Sequence, residues 1–99
     1  MVNYQEKEND IMNKIRRKQL MEWVKKAESW ATCGEELRDA LEQICSEEQD
    51  CFDNMPENLQ GSARGMDAEN AIDAMNEAIE SMNNAIEAAE DAVGCIDEI

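Results

Sequence analysis

The chain has 99 residues, of which 33% are charged and 4% aromatic, and its formal net charge is −15 with one Pro and no His. This length suits one small domain, and a composition poor in Pro and aromatic residues favours long helices over a sheet-based core. The lack of His excludes Ser-His and Cys-His nucleophile pairs, and no apolar run reaches the roughly 18 residues that a membrane-spanning helix needs.

The first predicted element is a long helix over residues 9–54, which follows a flexible N-terminus over residues 1–8. Its apolar residues recur at alternate spacings of four and three, which is the seam by which one helix packs along another. The seam residues are Trp23, Ala27, Trp30, Gly34, Leu37, Leu41, Ile44, Glu48, Cys51 and Met55. Because the seam keeps its phase across Gly34, we predict one continuous helix. A kink at Gly34, or a new helix at the capping-box pattern of Thr32 and Glu35, is the alternative.

A turn is predicted over residues 55–61. Pro56 lacks a backbone N–H and restricts the residue before it to extended conformations, so the first helix should end there. Gly61 is expected to adopt the left-handed conformation, and Ser62 is expected to cap the next helix. Leu59, between them, is predicted to close the end of the core.

The second long helix is predicted over residues 62–98 and contains a heptad repeat. Its two core positions hold Ile72, Ile79, Ile86 and Val93, and Met75, Met82, Ala89 and Ile96. A third row, of Ala71, Ala78, Ala85 and Ala92, lets another helix approach closely, as in bundles of three or four helices.

These elements predict an all-α fold: a long antiparallel helical hairpin, resembling a coiled coil, that assembles into a dimeric four-helix bundle. Counting back from the turn places Ile86 near Trp30 and Val93 near Trp23. The residues assigned to the core or to the oligomer interface are Trp23, Trp30, Leu37, Leu41, Ile72, Met75, Ile79, Met82, Ile86 and Val93.

Charge is distributed unevenly along the chain. Residues 1–38 hold eight basic and seven acidic residues, whereas residues 39–99 hold one basic and seventeen acidic residues. The hairpin brings the basic cluster of residues 14–18 beside the acidic C-terminus, where cations offset the helix dipole. A nucleic-acid-binding role for Lys14, Arg16, Arg17 and Lys18 is the alternative, although the rest of the molecule would repel nucleic acid.

The four cysteines show no CxxC pair, and the hairpin places none of them opposite another. We therefore expect reduced thiols and no zinc site. We also expect no other metal, no cofactor and no enzymatic activity, because no convergent set of acid, base and nucleophile is visible.

The acidic face of the hairpin is the candidate binding surface. Sixteen surplus negative charges lie along a rod of about 50 Å, roughly one per 3 Å, and duplex DNA presents about one per 1.7 Å. A groove that neutralises phosphates with Lys and Arg would attract such a rod. The candidate partner-binding residues are Asp39, Glu42, Glu47, Asp50, Asp73, Glu77, Glu80, Glu87 and Asp91. A merely solvated acidic face is the alternative, because many soluble helices carry one.

The segment EEQDCFDNMPENLQGSARG, after RRK near the start and before the heptad tail, resembles small helical proteins encoded by bacteriophages and prophages of gut Firmicutes. The resemblance covers about residues 14–99 and is most specific in FDNMPENLQGS. It implies an inhibitor of host defence that acts in the bacterial cytoplasm, such as an anti-CRISPR or anti-restriction protein. The expected partner is a basic nucleic-acid-binding protein, such as a CRISPR-associated nuclease, and neither nucleic acid nor a membrane is bound directly.

A structural or adaptor protein is the rival class. Such a protein would act by self-association or by offering a hydrophobic groove to another helix. Its binding would survive high salt and fail when Trp23, Trp30 or Met82 is made polar.

Overall fold

The computed structural model describes the backbone of residues 4–99 and the side chains of residues 13–99. Three helices follow in chain order, α1 (Tyr4–Asp53), α2 (Glu57–Gln60) and α3 (Ala63–Asp97). α1 and α3 pack along each other as an antiparallel hairpin in a rod of 87 × 16 × 15 Å. Residues 4–99 contain no strand, and none of their helices combines the length and apolar character that crossing a bilayer requires. The predicted all-α helical hairpin is confirmed.

α1 is one uninterrupted helix of 50 residues that passes through Gly34. The alternative helix start at Thr32 is not formed, because the Thr32 hydroxyl donates to the carbonyl oxygen of Glu28 at 3.1 Å. This bond to the residue four positions earlier is typical of a helix interior. α1 begins five residues ahead of the predicted start, and residues 1–3 of the predicted flexible N-terminus lie outside the described part of the chain.

Gln60 ties the connection to the end of α1, and Leu59 does not close the end of the core as predicted. The Gln60 side-chain amide donates to the carbonyl oxygens of Phe52 at 3.1 Å and of Met55 at 3.2 Å. The Phe52 carbonyl oxygen also accepts from the Met55 N–H at 3.0 Å, so the Gln60 amide adds a second bond there and binds the Met55 carbonyl oxygen just beyond the end of α1. Leu59 is 42% exposed, so the prediction that it closes the core is wrong. Because Gln60 faces α1, the preceding residue of the short helix α2, Leu59, points outwards.

α3 begins at the predicted cap, but the glycine beside it behaves differently from the prediction. The Ser62 hydroxyl accepts a hydrogen bond from the backbone N–H of Gly65 at 3.4 Å, as an N-cap should. Gly61 has φ −84° and ψ −1°, so its predicted left-handed conformation is wrong. A left-handed residue is not needed at Gly61, because the turn continues in the right-handed sense. The Ser62 N–H donates to the Leu59 carbonyl oxygen at 3.0 Å.

α3 presents its heptad rows to α1. Ile72 and Ile86 are buried, as are Gly65 and Ala68 nearer the connection. The other predicted core residues of α3 are half-buried against α1, namely Met75, Ile79, Met82 and Val93.

α1 meets α3 through only one of the two rows of the predicted seam. The row that faces α3 is Val24, Ala31, Arg38, Cys45 and Phe52, together with the half-buried or buried residues Leu20, Ala27, Gly34, Leu41, Glu48 and Met55. The neighbouring row of Trp23, Trp30, Leu37 and Ile44 is exposed. Small side chains on α1 let the large Ile and Met residues of α3 approach closely, whereas tryptophans would hold the two helices apart.

The register of the hairpin lies one helical turn from the predicted one. A Cβ atom on Gly34 would lie 3.2 Å from Cγ1 of Ile86 and 3.3 Å from Cε of Met82, so Ile86 faces Gly34 rather than Trp30. The Cys45 thiol donates to the amide oxygen of Asn76 at 3.6 Å. The predicted position of the chain end is confirmed, because Leu20 and Ile96 line the same groove.

Candidate functional site

The nine predicted carboxylates are all exposed, and five of them follow one line along α3. This α3 ridge consists of Asp73, Glu77, Glu80, Glu87 and Asp91. The spacings of three, four and seven residues place its members on one face of the helix. That face points away from α1, because Ile72 and Ile86 on the opposite face are buried against α1. The ridge is therefore a straight line of carboxylates in water.

The four predicted carboxylates of α1 do not continue this line. Asp39 and Asp50 lie on the outer face of α1, which points away from α3, and Glu42 lies beside the seam. Glu47 is turned towards the opposite side of the rod from Glu42, as their positions around the helix require. Glu47 accepts a hydrogen bond from the Gln43 side-chain amide at 3.4 Å. The single acidic face expected from the sequence is therefore divided between two helices.

A polar flank joins the two sets of carboxylates along one side of the hairpin. It consists of Glu28, Glu35, Glu42 and Gln49 on α1, and of Asn76, Asn83, Glu90 and Asp97 on α3. Two open grooves show that these rows meet. Glu28 and Glu35 line the first groove together with Glu90, and Glu42 and Gln49 line the second together with Asn76. We call the polar flank, the α3 ridge, Asp39 and Asp50 together the acidic side.

Few cations neutralise the acidic side. In residues 13–99 one ion pair is formed, between Arg38 and Asp39 at 3.1 Å, and no basic residue lies between residues 65 and 99. Arg38 also donates to the Asn83 side-chain oxygen at 3.1 Å across the two helices. The charges of the α3 ridge consequently remain open to a partner.

The basic cluster lies at the far end of the rod. Residues 13–19 are exposed, and Arg17 lines a groove with Asp97 beside the end of α3. The predicted proximity of basic cluster and acidic C-terminus is therefore present, but the described residues form no ion pair there within 4 Å. The exposed cations of this cluster are Lys14, Arg16, Arg17 and Lys18.

The opposite side of the hairpin carries an apolar flank, whose largest residues had been assigned to the core or to the oligomer interface. Its α1 row contains Trp23, Trp30, Leu37 and Ile44, which are 64%, 50%, 51% and 53% exposed. Cys51 extends this row, and the α3 row consists of Ala71, Ala78, Ala85 and Ala92. The ammonium group of Lys26 lies 4.4 Å from the ring centroid of Trp23 and covers part of it. The predicted packing of Trp30 on Ile86 and of Trp23 on Val93 is wrong, because Ile86 faces Gly34 and Val93 lines a groove with Ala27 and Ala31. The assignment of the tryptophans and Leu37 to an oligomer interface stays a prediction.

The described side chains offer no enclosed reactive site. Among residues 13–99 no polar or charged side chain is buried, and no group of three or more His, Cys, Asp or Glu side chains is placed to hold a metal ion. All four cysteines are free thiols, and Cys45 is the buried one. The surface features of the described residues are an acidic side and an apolar flank. Comparison of the chain with protein-family models, with curated proteins and with solved structures finds no match.

Proposed function

We propose that this protein is a non-enzymatic inhibitor whose acidic side occupies the basic nucleic-acid groove of another protein. The observation that carries the proposal is the α3 ridge, where five exposed carboxylates follow one helix and form no ion pair among residues 13–99. α3 has 35 residues, so it is about 52 Å long, enough to lie along an extended groove.

The spacing of the ridge suits a surface that binds phosphates. Carboxylates three or four residues apart on a helix are about 6 Å from one another, and side chains of Lys and Arg that neutralise phosphates can pair with them. Association would be fast at low salt and weak at high salt, because exposed charges attract over long distances and are screened by ions.

Within this class we propose a host defence nuclease as the target, either CRISPR-associated or a restriction enzyme. This narrower assignment is supported by the resemblance of FDNMPENLQGS to phage-encoded proteins, which also implies action in the bacterial cytoplasm.

The proposal is tested by capturing partners from a bacterial lysate on the immobilised protein. Capture is carried out at about 0.1 M and about 0.5 M salt, and in a third sample duplex DNA or RNA is added at low salt. A partner that is captured at low salt and released both by high salt and by nucleic acid supports the proposal. A partner that stays bound in all three samples, or no partner at all, contradicts it.

A second candidate function is a helical adaptor that acts through apolar contacts. The half-exposed tryptophans of the apolar flank favour it, because soluble proteins seldom leave several large side chains open along one line. Its binding should persist at about 0.5 M salt and be lost in a Trp30→Glu variant. In the same capture experiment, retention at high salt would identify this function.

A further inference from the structure

The apolar flank is a continuous strip along one side of the rod. Because the polar rows of α1 and α3 share one side of the antiparallel hairpin, the apolar rows on their other edges must share the opposite side. A groove at the turn end supports this placement, since it is lined by Cys51 of α1, by Met55 of the connection and by Arg64 of α3. The strip is centred near Leu37, which lies level with the middle of the alanine row because Arg38 reaches Asn83.

The exposed area of the strip is large for a chain of this size. From the exposed fractions of Trp23, Trp30, Leu37 and Ile44, it amounts to on the order of 400 Å² of apolar surface. Two such strips packed together, with their alanine rows and polar rims, would cover on the order of 1,000 Å² or more. This reaches the roughly 1,000 Å² that a biological interface should exceed.

We propose that the occupant of the apolar flank is a second copy of this chain, packed face to face about a two-fold axis near Leu37. In this arrangement the two rods run in opposite directions and α1 packs on α1 of the partner copy. Trp30 of each copy then lies level with Ile44 of the other, and Trp23 lies level with Cys51. Each large aromatic side chain therefore meets a smaller one. The two alanine rows allow the α3 helices to approach closely.

The charge distribution selects opposite directions for the two rods. The half of the hairpin nearest the connection, residues 38–82, holds twelve acidic and two basic residues. The other half, residues 13–37 and 83–99, holds nine acidic and six basic residues. Rods running in the same direction would place the two strongly negative halves side by side. Opposite directions place each negative half beside the cations of the other copy, which lowers the repulsion.

This inference does not rest on the proposed function. The α3 ridge lies on the outer face of α3, away from the apolar flank, so it stays open when two copies associate. Failure of the dimer and failure of partner capture are therefore separate outcomes.

The first test is the oligomeric state of the full chain by sedimentation equilibrium. We expect a dimer, and we expect Trp30→Glu to raise its dissociation constant by at least about 30-fold, as for a buried interface tryptophan. Ser46→Glu is the matched control, because Ser46 is exposed and lines the polar-flank groove with Glu42 and Asn76, on the side away from the apolar flank, and should leave the dimer unchanged. A monomeric wild-type chain, or equal effects of the two substitutions, would overturn the proposal. Circular dichroism verifies that both variants remain helical.

The second test determines the direction of the rods by disulfide cross-linking. The background replaces the exposed thiols through Cys33→Ser, Cys51→Ser and Cys95→Ser. Leu37→Cys in this background should form a disulfide-linked dimer with itself, since residue 37 lies at the proposed axis. A second sample mixes Leu37→Cys chains with Ala85→Cys chains in the same background. In rods of the same direction α1 would face α3, so Leu37→Cys would link only to Ala85→Cys in this mixture. A link formed only in the mixture, or no link in either sample, would overturn the arrangement.

Discussion

At the scale of single residues, Gly65 is the most constrained position of the connection. A Cβ atom there would collide with the carbonyl oxygen of Gln60 and lie 2.5 Å from that of Leu59. Both obstacles are backbone atoms, so the chain itself would have to move. Gly94 is also in α3, but a Cβ atom there would meet nothing within 4 Å.

We predict opposite effects of the same substitution at these two glycines. Gly65→Ala should lower the free energy of unfolding by about 1–3 kcal/mol, because overpacking against a fixed backbone is costly. Gly94→Ala should raise it by up to about 1 kcal/mol through the higher helix propensity of Ala. Urea unfolding followed by circular dichroism, at one protein concentration, measures both. Equal effects of the two substitutions would contradict the described close approach.

Sequence reasoning identified Ser62 as a cap but missed the role of Gly65. A cap depends on residues adjacent in the chain, and serine before a helical pattern is a recognised signal. The crowding at Gly65 depends instead on where two carbonyl groups of α2 lie in space. A glycine in the first turn of a helix, four residues after another glycine, was the signal that could have indicated it.

At the scale of elements, the two long helices differed in how well their packing could be predicted. α3 carries one set of large apolar rows, so its spacing determined the face that meets α1. α1 carries apolar residues on three neighbouring rows, and the same alternate spacing fits either the tryptophan row or the row of Val24, Ala31 and Cys45. Which row faces α3 depends on the side-chain volumes of α3. The spacing of residues within α1 gives no information about those volumes.

The connection between the helices gives a prediction at this scale. Gln60→Ala removes two hydrogen bonds to carbonyl oxygens at the end of α1 and should lower the free energy of unfolding by about 1–2 kcal/mol. Gln43→Ala is the control, because the Gln43 amide makes one exposed bond of 3.4 Å to Glu47. Its effect should be within about 0.5 kcal/mol of zero. If thermal or urea unfolding shows the two variants to be equally stable, Gln60 does not hold the connection.

At the scale of the whole molecule, the dominant feature is a rod with an acidic side and an apolar flank. The overall charge and the hairpin could be predicted, because both follow from composition and heptad spacing. The division of the nine carboxylates between the α3 ridge and separate faces of α1 could not be predicted, since it depends on how α1 is rotated about its axis. The same rotation turns Trp23 and Trp30 away from Val93 and Ile86, against which they were expected to pack.

The excess of negative charge predicts that salt stabilises the fold. With a net charge of −15, like charges repel across the rod, and ions screen that repulsion. The midpoint of thermal unfolding should therefore rise between about 0.05 and 0.5 M NaCl. The variant E77Q/E80Q/E87Q should show a smaller rise, because three charges are removed from one line. A midpoint that falls with salt would mean that attractive ion pairs outweigh the repulsion.

The central claim is that the α3 ridge is a binding surface, and a comparison of two charge-matched variants tests it most directly. E77Q/E80Q/E87Q removes three carboxylates from the ridge, and E47Q/E57Q/D67N removes three exposed carboxylates that lie off the acidic side. The affinity of each for the partner captured at low salt is measured under identical conditions. We predict a loss of at least about tenfold for the ridge variant and little change for the control. Equal losses would show that only net charge matters, and no loss in either would contradict a role for the ridge.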